Sequence, residues 1–438
     1  MRKFAYIPVE SKVRELDSKL LVSLEAVARG YVVVLGSKRI LSALDRLPCG
    51  VLIYKDASAA MEDRFRIAKD AGHKVVVHDE EGLVQQSWQD YLNRRIRFNS
   101  INYVDLFLCW GKEQFDAVSN FLCGDKKSTA ISRVGHPRVD LLRDGIRSYN
   151  FEGARSPKKL ILINTKLAEA NHRLGPDGWL NILRSHQMIR NESELELRYQ
   201  QIAYKKKLLE HYERLIGAVS LSFPDAEIVI RPHPSEDEET WKRLTAESNN
   251  VIVTNAMPIG YWLHRSDVVI HTGCTTAIEA FLMGKPVISY KPISDERFEI
   301  RLPDSISMSA RSDAECSGLI EAALSDQFGC AELKDKGLAI LQNNIDSIDG
   351  EYSFTKIVDQ LDALEVPLHR FGIADELRLR SIFGKDYLRS VFLGGPYADN
   401  KCFGYAEIVK TLQRLRDVLG YSVNVSVSKL GDNLYMLK

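Results

Sequence analysis

The amino-acid sequence predicts an α/β protein of two tandem doubly wound domains that face a cleft, with a C-terminal α/β appendage. Short β-rich apolar runs alternate with amphipathic helical segments, which indicates parallel sheets covered on both faces. The alternation pauses once, at residues 148–157, and then starts again. A length of 438 residues, with 45% hydrophobic and 27% charged residues, suits two or three globular domains. We place the domains at residues 1–150, 151–366 and 367–438.

Composition and charge exclude several classes of protein. Lys+Arg and Asp+Glu both number 59, so the chain lacks the basic excess of a nucleic-acid binder. No apolar run reaches the ~18 residues of a spanning helix, and the N-terminus lacks a signal-peptide core. The seven cysteines are scattered without close pairs, which argues against disulfides and against a zinc site. We therefore expect a cytoplasmic protein without a bound metal.

The first domain begins with a strand at Phe4–Val9 and a helix at Val13–Arg29, whose apolar residues form one stripe. Gly30 follows the stripe, as glycine commonly does after a helix. Further β-rich runs, bounded by turns or helical segments, complete the predicted sheet: Tyr31–Leu35, Val51–Tyr54, Lys74–His78, Val104–Cys109 and Ala130–Val134.

The second domain repeats the pattern, with a long helix predicted over Glu194–Val219. Ligands of such sheets bind beyond the carboxyl ends of the strands, so two facing domains would hold a ligand between them. The segment after Val366 departs from the pattern, and its role is not indicated. The strands predicted for this domain are Lys159–Ile163, Glu227–Ile230, Val251–Val253, Val268–His271 and Pro286–Tyr290.

The Arg231-Pro232-His233-Pro234 turn directly follows a predicted strand of the second domain. The prolines end the strand and leave His233 at the carboxyl edge of the sheet. There, His233 can donate a hydrogen bond to a phosphate and Arg231 can add positive charge. The alternative is an ordinary strand-end turn with a surface histidine.

A loop of small residues, Thr272-Gly273-Cys274-Thr275-Thr276, joins another strand to a helix that carries Glu279. Free backbone N–H groups at the start of a helix attract anions, so this loop is a second candidate phosphate site. Glu279 could accept hydrogen bonds from a ribose. The alternative is plain N-capping by threonine, with Glu279 in solvent.

Three consecutive acids, Asp79, Glu80 and Glu81, follow the strand at Lys74–His78. Crowded carboxylates can raise one another's pKa, and a carboxylate at a strand end suits work as a base or nucleophile. Neighbours in an extended chain point oppositely, so Asp79 and Glu81 would face one way and Glu80 the other. The alternative is a solvated acidic turn. Weaker candidates for substrate contact stand at two other strand ends: Glu10, Lys12, Arg14 and His136.

Several of these segments resemble enzymes of bacterial surface glycans. RPHP at 231–234 together with HTGCTTAIEAFLMGKPVISY at 271–290 resembles the second domain of GT-B glycosyltransferases. VGHPRVDLL at 134–142 is similar to the end of the first domain in capsule and teichoic-acid-type transferases. The opening, at 7–36, resembles the "surface carbohydrate biosynthesis protein" family of polysaccharide clusters.

The acid-acid-glycine motif at 80–82, with the His-Pro motif and the Ser/Thr loop, resembles transferases that use CMP-sialic acid or CMP-Kdo. This resemblance implies a GT-B-like fold of two Rossmann-like domains. It implies that Glu80 is the general base and that His233-Pro234 and Thr275-Thr276 contact the CMP phosphate. The extra acid, Asp79, leaves the register of the catalytic carboxylate open.

The resemblance leads us to expect transfer of a 2-keto sugar acid, Kdo or a nonulosonic acid, from CMP onto a surface glycan. The acceptor would be a lipid-linked glycan or an oligosaccharide, reached at the inner face of the inner membrane by peripheral association. We expect no metal and no cofactor besides the donor. The alternatives are a UDP-sugar or CDP-polyol transferase, a UDP-sugar 2-epimerase, and a non-catalytic nucleotide-sugar-binding scaffold. Stereochemical outcome and oligomeric state stay open.

Overall fold

The computed structural model describes residues 1–96, 98–123, 129–150, 157–185, 188–325, 331–393 and 402–438. The chain forms two compact units. The first unit contains Met1–Leu83, Ser87–Asn150 and Gln342–Lys438, and the second contains Val84–Gln86 and Phe151–Leu341. Of the predicted linker at 148–157, residues 148–150 end a helix and residues 151–156 lie outside the described part of the chain.

Up to Asn150 the chain alternates strands and helices, as its pattern predicts. The strands are β1 Lys3–Pro8, β2 Tyr31–Gly36, β3 Val51–Tyr54, β4 Lys74–His78, β5 Leu106–Cys109 and β6 Ala130–Arg133. The helices are α1 Lys12–Ala28, α2 Glu62–Asp70, α3 Trp88–Arg95, α4 Phe98–Ile101, α5 Lys112–Leu122, α6 Pro137–Asp140 and α7 Asp144–Asn150. Short 3₁₀ turns occupy Lys38–Ser42, Leu44–Arg46 and Ala59–Met61.

The alternation resumes at residue 160. The strands are β7 Leu160–Asn164, β8 Glu227–Arg231, β9 Val251–Val253, β10 Val268–His271, β11 Val287–Tyr290 and β12 Met308–Ala310. The helices are α8 Gly175–Ser185, α9 Glu192–Ser222, α10 Glu238–Leu244, α11 Ile259–Arg265, α12 Thr275–Leu282, α13 Arg301–Ser305, α14 Asp313–Leu324 and α15 Ala331–Asn344. The remaining elements are α16 Ser353–Asp362, α17 Ile373–Leu393, α18 Tyr405–Leu419, β13 Val427–Gly431 and β14 Leu434–Leu437.

Both sheets are doubly wound, which confirms the predicted fold class. The strand order is β13-β14-β2-β1-β3-β4-β5-β6 in the first unit and β12-β11-β10-β7-β8-β9 in the second. The order reverses between β1 and β3 in one sheet and between β7 and β10 in the other. Ligands of open α/β sheets bind at such reversal points, beyond the carboxyl ends of the strands. The topology therefore selects one edge of each sheet as the place to look for a site.

The buried strands explain why the sheets form. Strand β2 is buried at all six positions and β7 at all five, as expected for strands covered on both faces. In the first unit, separate apolar clusters fill the two sides of the sheet, one around Phe107 and the other around Leu20. Helix α1 supplies much of the second cluster through its predicted apolar stripe. Burial of this apolar surface stabilises the layered arrangement.

The C-terminal segment does not divide as the sequence predicts. Residues 342–366, placed by the pattern in the second domain, belong to the first unit together with residues 367–438. Helix α16 packs on α1 through Phe354, Ile357 and Leu361, and β14 pairs antiparallel with β2. The tail is therefore part of the first sheet and its covering layer rather than a separate appendage. Sequence periodicity could not reveal this, because strand pairing between distant segments leaves no local signal.

The six cysteines of the described residues, those other than Cys330, are free thiols. Within the described ranges, no helix combines the length and the apolar character needed to cross a membrane.

Candidate functional site

The three acids after β4 have three different environments. Asp79 is completely buried and its carboxylate accepts four hydrogen bonds. Arg95 donates two of them, at 2.5 and 3.0 Å, and the Tyr91 hydroxyl and the backbone N–H of Glu81 donate the others at 2.9 and 2.8 Å. Such a saturated carboxylate orients the turn and has no lone pair left for a substrate. We therefore interpret Asp79 as a residue that holds the turn after β4 in position.

Glu81 is half-exposed and lies between two arginines. Its carboxylate is 2.9 Å from Arg14 Nη1 and 3.5 Å from Arg95 Nη1. These charges outweigh burial and lower the pKa of Glu81 to about 2. Glu81 is therefore a fixed anion near neutral pH, which makes it a poor base.

Glu80 points away from both neighbours, towards His136. Its Oε2 lies 3.4 Å from His136 Nε2, and neither atom has a hydrogen-bond partner among the described residues. Both side chains are buried, at 5% and 1% exposure. Burial raises the pKa of Glu80, and burial lowers the pKa of His136 well below its usual value. Burial thus favours the protonated carboxyl group of Glu80 and the uncharged imidazole of His136.

Ring contacts hold the orientation of His136, and a hydrogen bond sets its tautomer. It stacks on Trp110 with 4.0 Å between ring centroids, and His78 lies 4.4 Å away on the other side. Its Nδ1 accepts the backbone N–H of Arg138 at 3.2 Å, so the proton of the neutral ring sits on Nε2, towards Glu80. His78 donates from Nε2 to the carbonyl of Gly135 at 2.9 Å, and burial lowers its pKa to about 4. Sequence analysis placed His136 as a weak substrate contact; the structure places it against Glu80.

Lys19 is a charged neighbour that sequence analysis missed. Its Nζ lies 3.7 Å from Glu80 Oε1 and donates to Glu15 at 2.6 Å and to the carbonyl of Pro8 at 2.7 Å. Glu15 is fully buried and also accepts the backbone N–H of Glu10, at 3.0 Å. Lys19 and these donors overcome burial and lower the pKa of Glu15 to about 2. The only sign of this contact in the local sequence is that Lys19 stands four residues after Glu15 on a predicted helix, a spacing at which side chains meet.

The remaining first-unit candidates form ion pairs with other residues, although the charge of Arg14 also acts on Glu80. Glu10 forms ion pairs with Lys38 and Lys55 at 2.8 and 2.9 Å, and Lys12 pairs with Glu407 of α18 at 2.9 Å. Arg14 pairs with Glu81, as described above. These residues line the carboxyl edge of the sheet as a charged rim.

A small cavity of about 30 Å³ lies beside Glu80, where the strand order reverses. Ile7 of β1, Ile53 of β3, Lys55 and His136 are among its walls. A space of this size admits a water molecule. A water molecule in this cavity can exchange protons with Glu80 and His136, although both side chains are buried.

The second unit presents a different edge. Asn164, Arg231 and His271 lie side by side, because Asn164 pairs in register with both of the others. Arg231 donates to the carbonyl of Met257 at 2.8 Å, and Glu279 of α12 acts on its charge. Burial nevertheless lowers the pKa of Arg231 from its very high usual value. Arg231 Nε, Asn164 Nδ2 and Thr272 Oγ1 are buried without a hydrogen-bond partner among the described residues.

His233 stands exposed after β8, as its position between two prolines predicts. Its Nδ1 accepts from the backbone N–H of Ser235 at 3.3 Å and contacts the Ser235 hydroxyl at 2.7 Å. The proton of the neutral ring therefore lies on Nε2, which makes that atom a donor. Pro234 is also exposed and shapes the turn.

Glu236 anchors this turn, and sequence analysis missed it. The carboxylate is buried and accepts the N–H groups of His233 and Leu167, the hydroxyl of Thr165 and the indole N–H of Trp241, all at 2.9–3.2 Å. It thereby ties the loop after β8 to the loop after β7. Burial raises its pKa, against the effect of these donors. The only signal for Glu236 in the sequence is that it stands two residues after the RPHP turn at 231–234.

The loop at 272–276 leads into α12, as predicted. Gly273 has φ +83°, and its N–H donates to His271 Nδ1 at 2.9 Å, so the buried histidine holds the turn. Burial lowers the pKa of His271 to about 4, so the ring is neutral. Cys274 is the N-cap of α12, and Thr275 and Thr276 form its first turn, whose N–H groups lack intrahelical acceptors. Burial raises the pKa of the Cys274 thiol, which argues against a reactive thiolate.

Lys166 adds a cation that sequence analysis did not single out. It stands two residues after the end of β7, and its charge acts on the Cys274 thiol. With Arg231, His233 and the start of α12, it makes this edge rich in cations and donors. Such an edge suits a phosphate. Among the described residues, no three His, Cys, Asp or Glu side chains group in a way that could hold a metal ion, and the absence of a metal requirement stays a prediction.

Comparisons with known proteins concern the fold. No protein-family model matches the chain, and no curated protein is detectably similar to it in sequence. A solved Listeria monocytogenes protein described as a UDP-N-acetylglucosamine 2-epimerase superposes with a TM-score of 0.52 at 12% identity, covering 85% of this chain and 100% of its own. Another UDP-N-acetylglucosamine 2-epimerase gives a TM-score of 0.52 at 13% identity, with the same coverage.

A wall teichoic acid polymerase, TagF, gives a TM-score of 0.51 at 10% identity, over 82% of this chain and 88% of its own. The chain has a GT-B-like fold. At these identities the likeness does not extend to activity, so neither the CMP-sugar specificity nor the surface-glycan role expected from sequence follows from it.

Proposed function

We propose that the protein is a nucleotide-sugar enzyme that moves a proton on the sugar, as a UDP-sugar 2-epimerase does. Epimerisation at C2 removes the hydrogen from that carbon and returns one to the opposite face. The reaction therefore needs groups that can take and give a proton near neutral pH. The solved structures with this fold include two that are described as UDP-N-acetylglucosamine 2-epimerases, which supports this assignment over the CMP-sugar transferase expected from sequence.

The approach of Glu80 to His136 carries the proposal. Their facing atoms lie 3.4 Å apart and have no other partner among the described residues. Burial shifts both pKa values towards the uncharged forms, and the Nε2–H of neutral His136 faces Glu80 and can donate to its carboxyl oxygen, so that Glu80 is the group of the pair that takes and gives the proton. Adjacent buried groups whose pKa values are both perturbed are typical of functional sites.

The second unit would bind the nucleotide. The unpartnered Nε of Arg231 and Nδ2 of Asn164 are buried donors at neighbouring strand ends, and phosphate oxygens would satisfy them. His233 Nε2, the first-turn N–H groups of α12 and the charge of Lys166 add to the same edge. Glu279 is buried, and its charge acts on the nearby Arg231. A ribose contact for Glu279 stays a prediction.

The second candidate is the transfer of a 2-keto sugar acid from CMP. One observation favours it: of the three acids, only Glu80 is neither saturated by donors nor clamped by arginines. A transferase needs one such base for the acceptor hydroxyl. The same carboxyl would serve both chemistries, so substrates must decide between them.

Incubation in D₂O tests the proposal. UDP-N-acetylglucosamine and other UDP-sugars should gain deuterium at C2, seen by mass spectrometry and by NMR. Glu80→Gln should reduce this exchange by ~10²-fold or more and leave the UDP-induced rise in Tm intact. Release of CMP from CMP-Kdo or CMP-sialic acid, without exchange into any UDP-sugar, would replace the epimerase with the transferase.

A further inference from the structure

We propose that the first unit docks on an anionic membrane surface through an apolar–basic patch formed by Leu368, Ile373, Leu377, Arg370 and Arg378. The three apolar side chains are 55%, 81% and 60% exposed. They are separate from the residues assigned to the reaction, and the proposal goes beyond the proposed function.

The backbone explains why these side chains share one surface. Residues 367–372 are irregular, and Arg2 forms a bridge with His369. His369 and Phe371 turn inward, each with its ring 5.5–5.6 Å from that of Phe4. Leu368 and Arg370 alternate with them and are exposed.

Helix α17 begins immediately afterwards and continues the patch. Ile373 and Leu377 stand one turn apart on its exposed side, whereas Leu379 is buried in the core. Arg378 lies beside them, its Nη2 3.5 Å from the carbonyl of Arg46. The first turns of α17 therefore present exposed apolar and basic side chains together.

The charges of the patch indicate which kind of partner it binds. Glu376 is committed to Arg380 and Lys438 at 2.8 and 2.6 Å, and Asp375 accepts the N–H of Gly372 at 2.8 Å. Arg370 and Arg378 form no ion pair with any residue that the structure describes. Two arginines beside exposed leucine and isoleucine match the phosphate headgroups and acyl boundary of an anionic bilayer.

The patch also leaves the candidate site clear. Arg2, which pairs with His369, precedes β1, whereas Glu10 and the acids lie beyond the carboxyl ends of the strands. Six strand residues at ~3.3 Å each separate the two edges of the sheet by about 20 Å. Docking would hold the enzyme near a membrane without covering the Glu80–His136 pair.

Vesicle co-sedimentation of the full chain tests the proposal. The protein should bind phosphatidylglycerol vesicles at low salt and bind phosphatidylcholine vesicles at least tenfold more weakly. Binding should weaken in 1 M salt, where the Debye length falls to ~3 Å. The double variant R370Q/R378Q should lose roughly tenfold to thirtyfold in affinity, whereas R64Q/R66Q, which removes two exposed arginines of α2, should bind as the wild type does.

The apolar part has its own matched pair. Ile373→Ser should weaken vesicle binding severalfold, whereas Leu221→Ser, at an equally exposed position on α9, should not. Circular dichroism and Tm verify that each variant is folded. Absence of binding to anionic vesicles, equal losses in variants and controls, or a dimer that Ile373→Ser dissociates without any vesicle binding would each overturn the proposal.

Discussion

The carboxyl edges of the two sheets differ in chemistry although both follow the same winding rule. The first edge buries three acids, Asp79, Glu80 and Glu15, and Arg95 pairs with Asp79 and Lys19 with Glu15. The second is dominated by cations and hydrogen-bond donors, and its His233 is exposed. The topology thus fixes where a site forms, and the residues just after the strands decide what it can bind or do.

The first edge also separates three adjacent acids by environment alone. Asp79 is saturated, Glu81 is clamped by arginines, and Glu80 faces His136. The second edge instead gathers Asn164, Arg231 and His271 from three strands. The proposed function gives proton transfer to one unit and anion binding to the other, and the following variants test that division.

The largest effect is expected at Glu80. Replacing it with glutamine removes the titratable carboxyl group beside His136, and turnover should fall ~10²–10⁴-fold with nucleotide affinity unchanged. Steady-state kinetics and calorimetry measure the two quantities. Glu81→Gln is the control, because it changes an adjacent acid that is already a fixed anion; its turnover should stay within a fewfold. Equal losses in both variants would contradict the assignment.

Asp79→Asn should affect stability more than any other change at this edge. Losing the carboxylate removes the two hydrogen bonds that Arg95 donates to it and leaves Arg95 only its longer ion pairs with Glu81 and Asp56; breaking a buried pair costs about 3–5 kcal/mol. Urea denaturation gives the free energy of unfolding of the variant and of the wild type. Glu81→Gln should cost less than about 1 kcal/mol because its carboxylate is half-exposed. A stable Asp79→Asn protein with lost turnover would make Asp79 catalytic instead.

Acid should destabilise the first unit through Glu15. Its folded pKa of about 2 lies below its ordinary value of 4.5, so its contribution is complete above pH 4.5 and is lost as the pH falls towards 2. Between pH 6 and pH 3 the loss should reach about 2 kcal/mol. The unfolding free energy of the wild type, measured from pH 6 to pH 3, should fall more steeply than that of Glu15→Gln. Parallel curves would show that Glu15 does not carry this dependence.

The smallest effect is expected at the second edge. His233→Ala removes one donor to a charged phosphate, and nucleotide affinity should drop about tenfold. Calorimetry with UDP and CMP measures this and ranks the two nucleotides. Glu80→Gln should bind the nucleotide with wild-type affinity, which would show that nucleotide binding depends on the second edge and not on the first. Unchanged affinity in His233→Ala would remove His233 from the nucleotide site.

The sequence by itself determined the fold class and most strands of the described residues, but not β12, β13 or β14. Strands β3, β4, β9 and β10 begin and end where their apolar runs predict, and α1 is within one residue of its predicted bounds. Glycine and proline also marked the turns at Gly30 and after Arg231. These features depend on contacts between near neighbours, which periodicity and turn chemistry record.

Only the tertiary structure decided which residues meet. It returned residues 342–438 to the first unit, brought His136 to Glu80, and placed Lys19, Glu236 and Lys166 at the edges where sequence analysis had not looked. It also distinguished the three acids, since alternation separated Glu80 from its neighbours but could not show which partners each would find. The physical reason is that burial and pairing set a carboxyl group's pKa, and both depend on segments far apart in the chain.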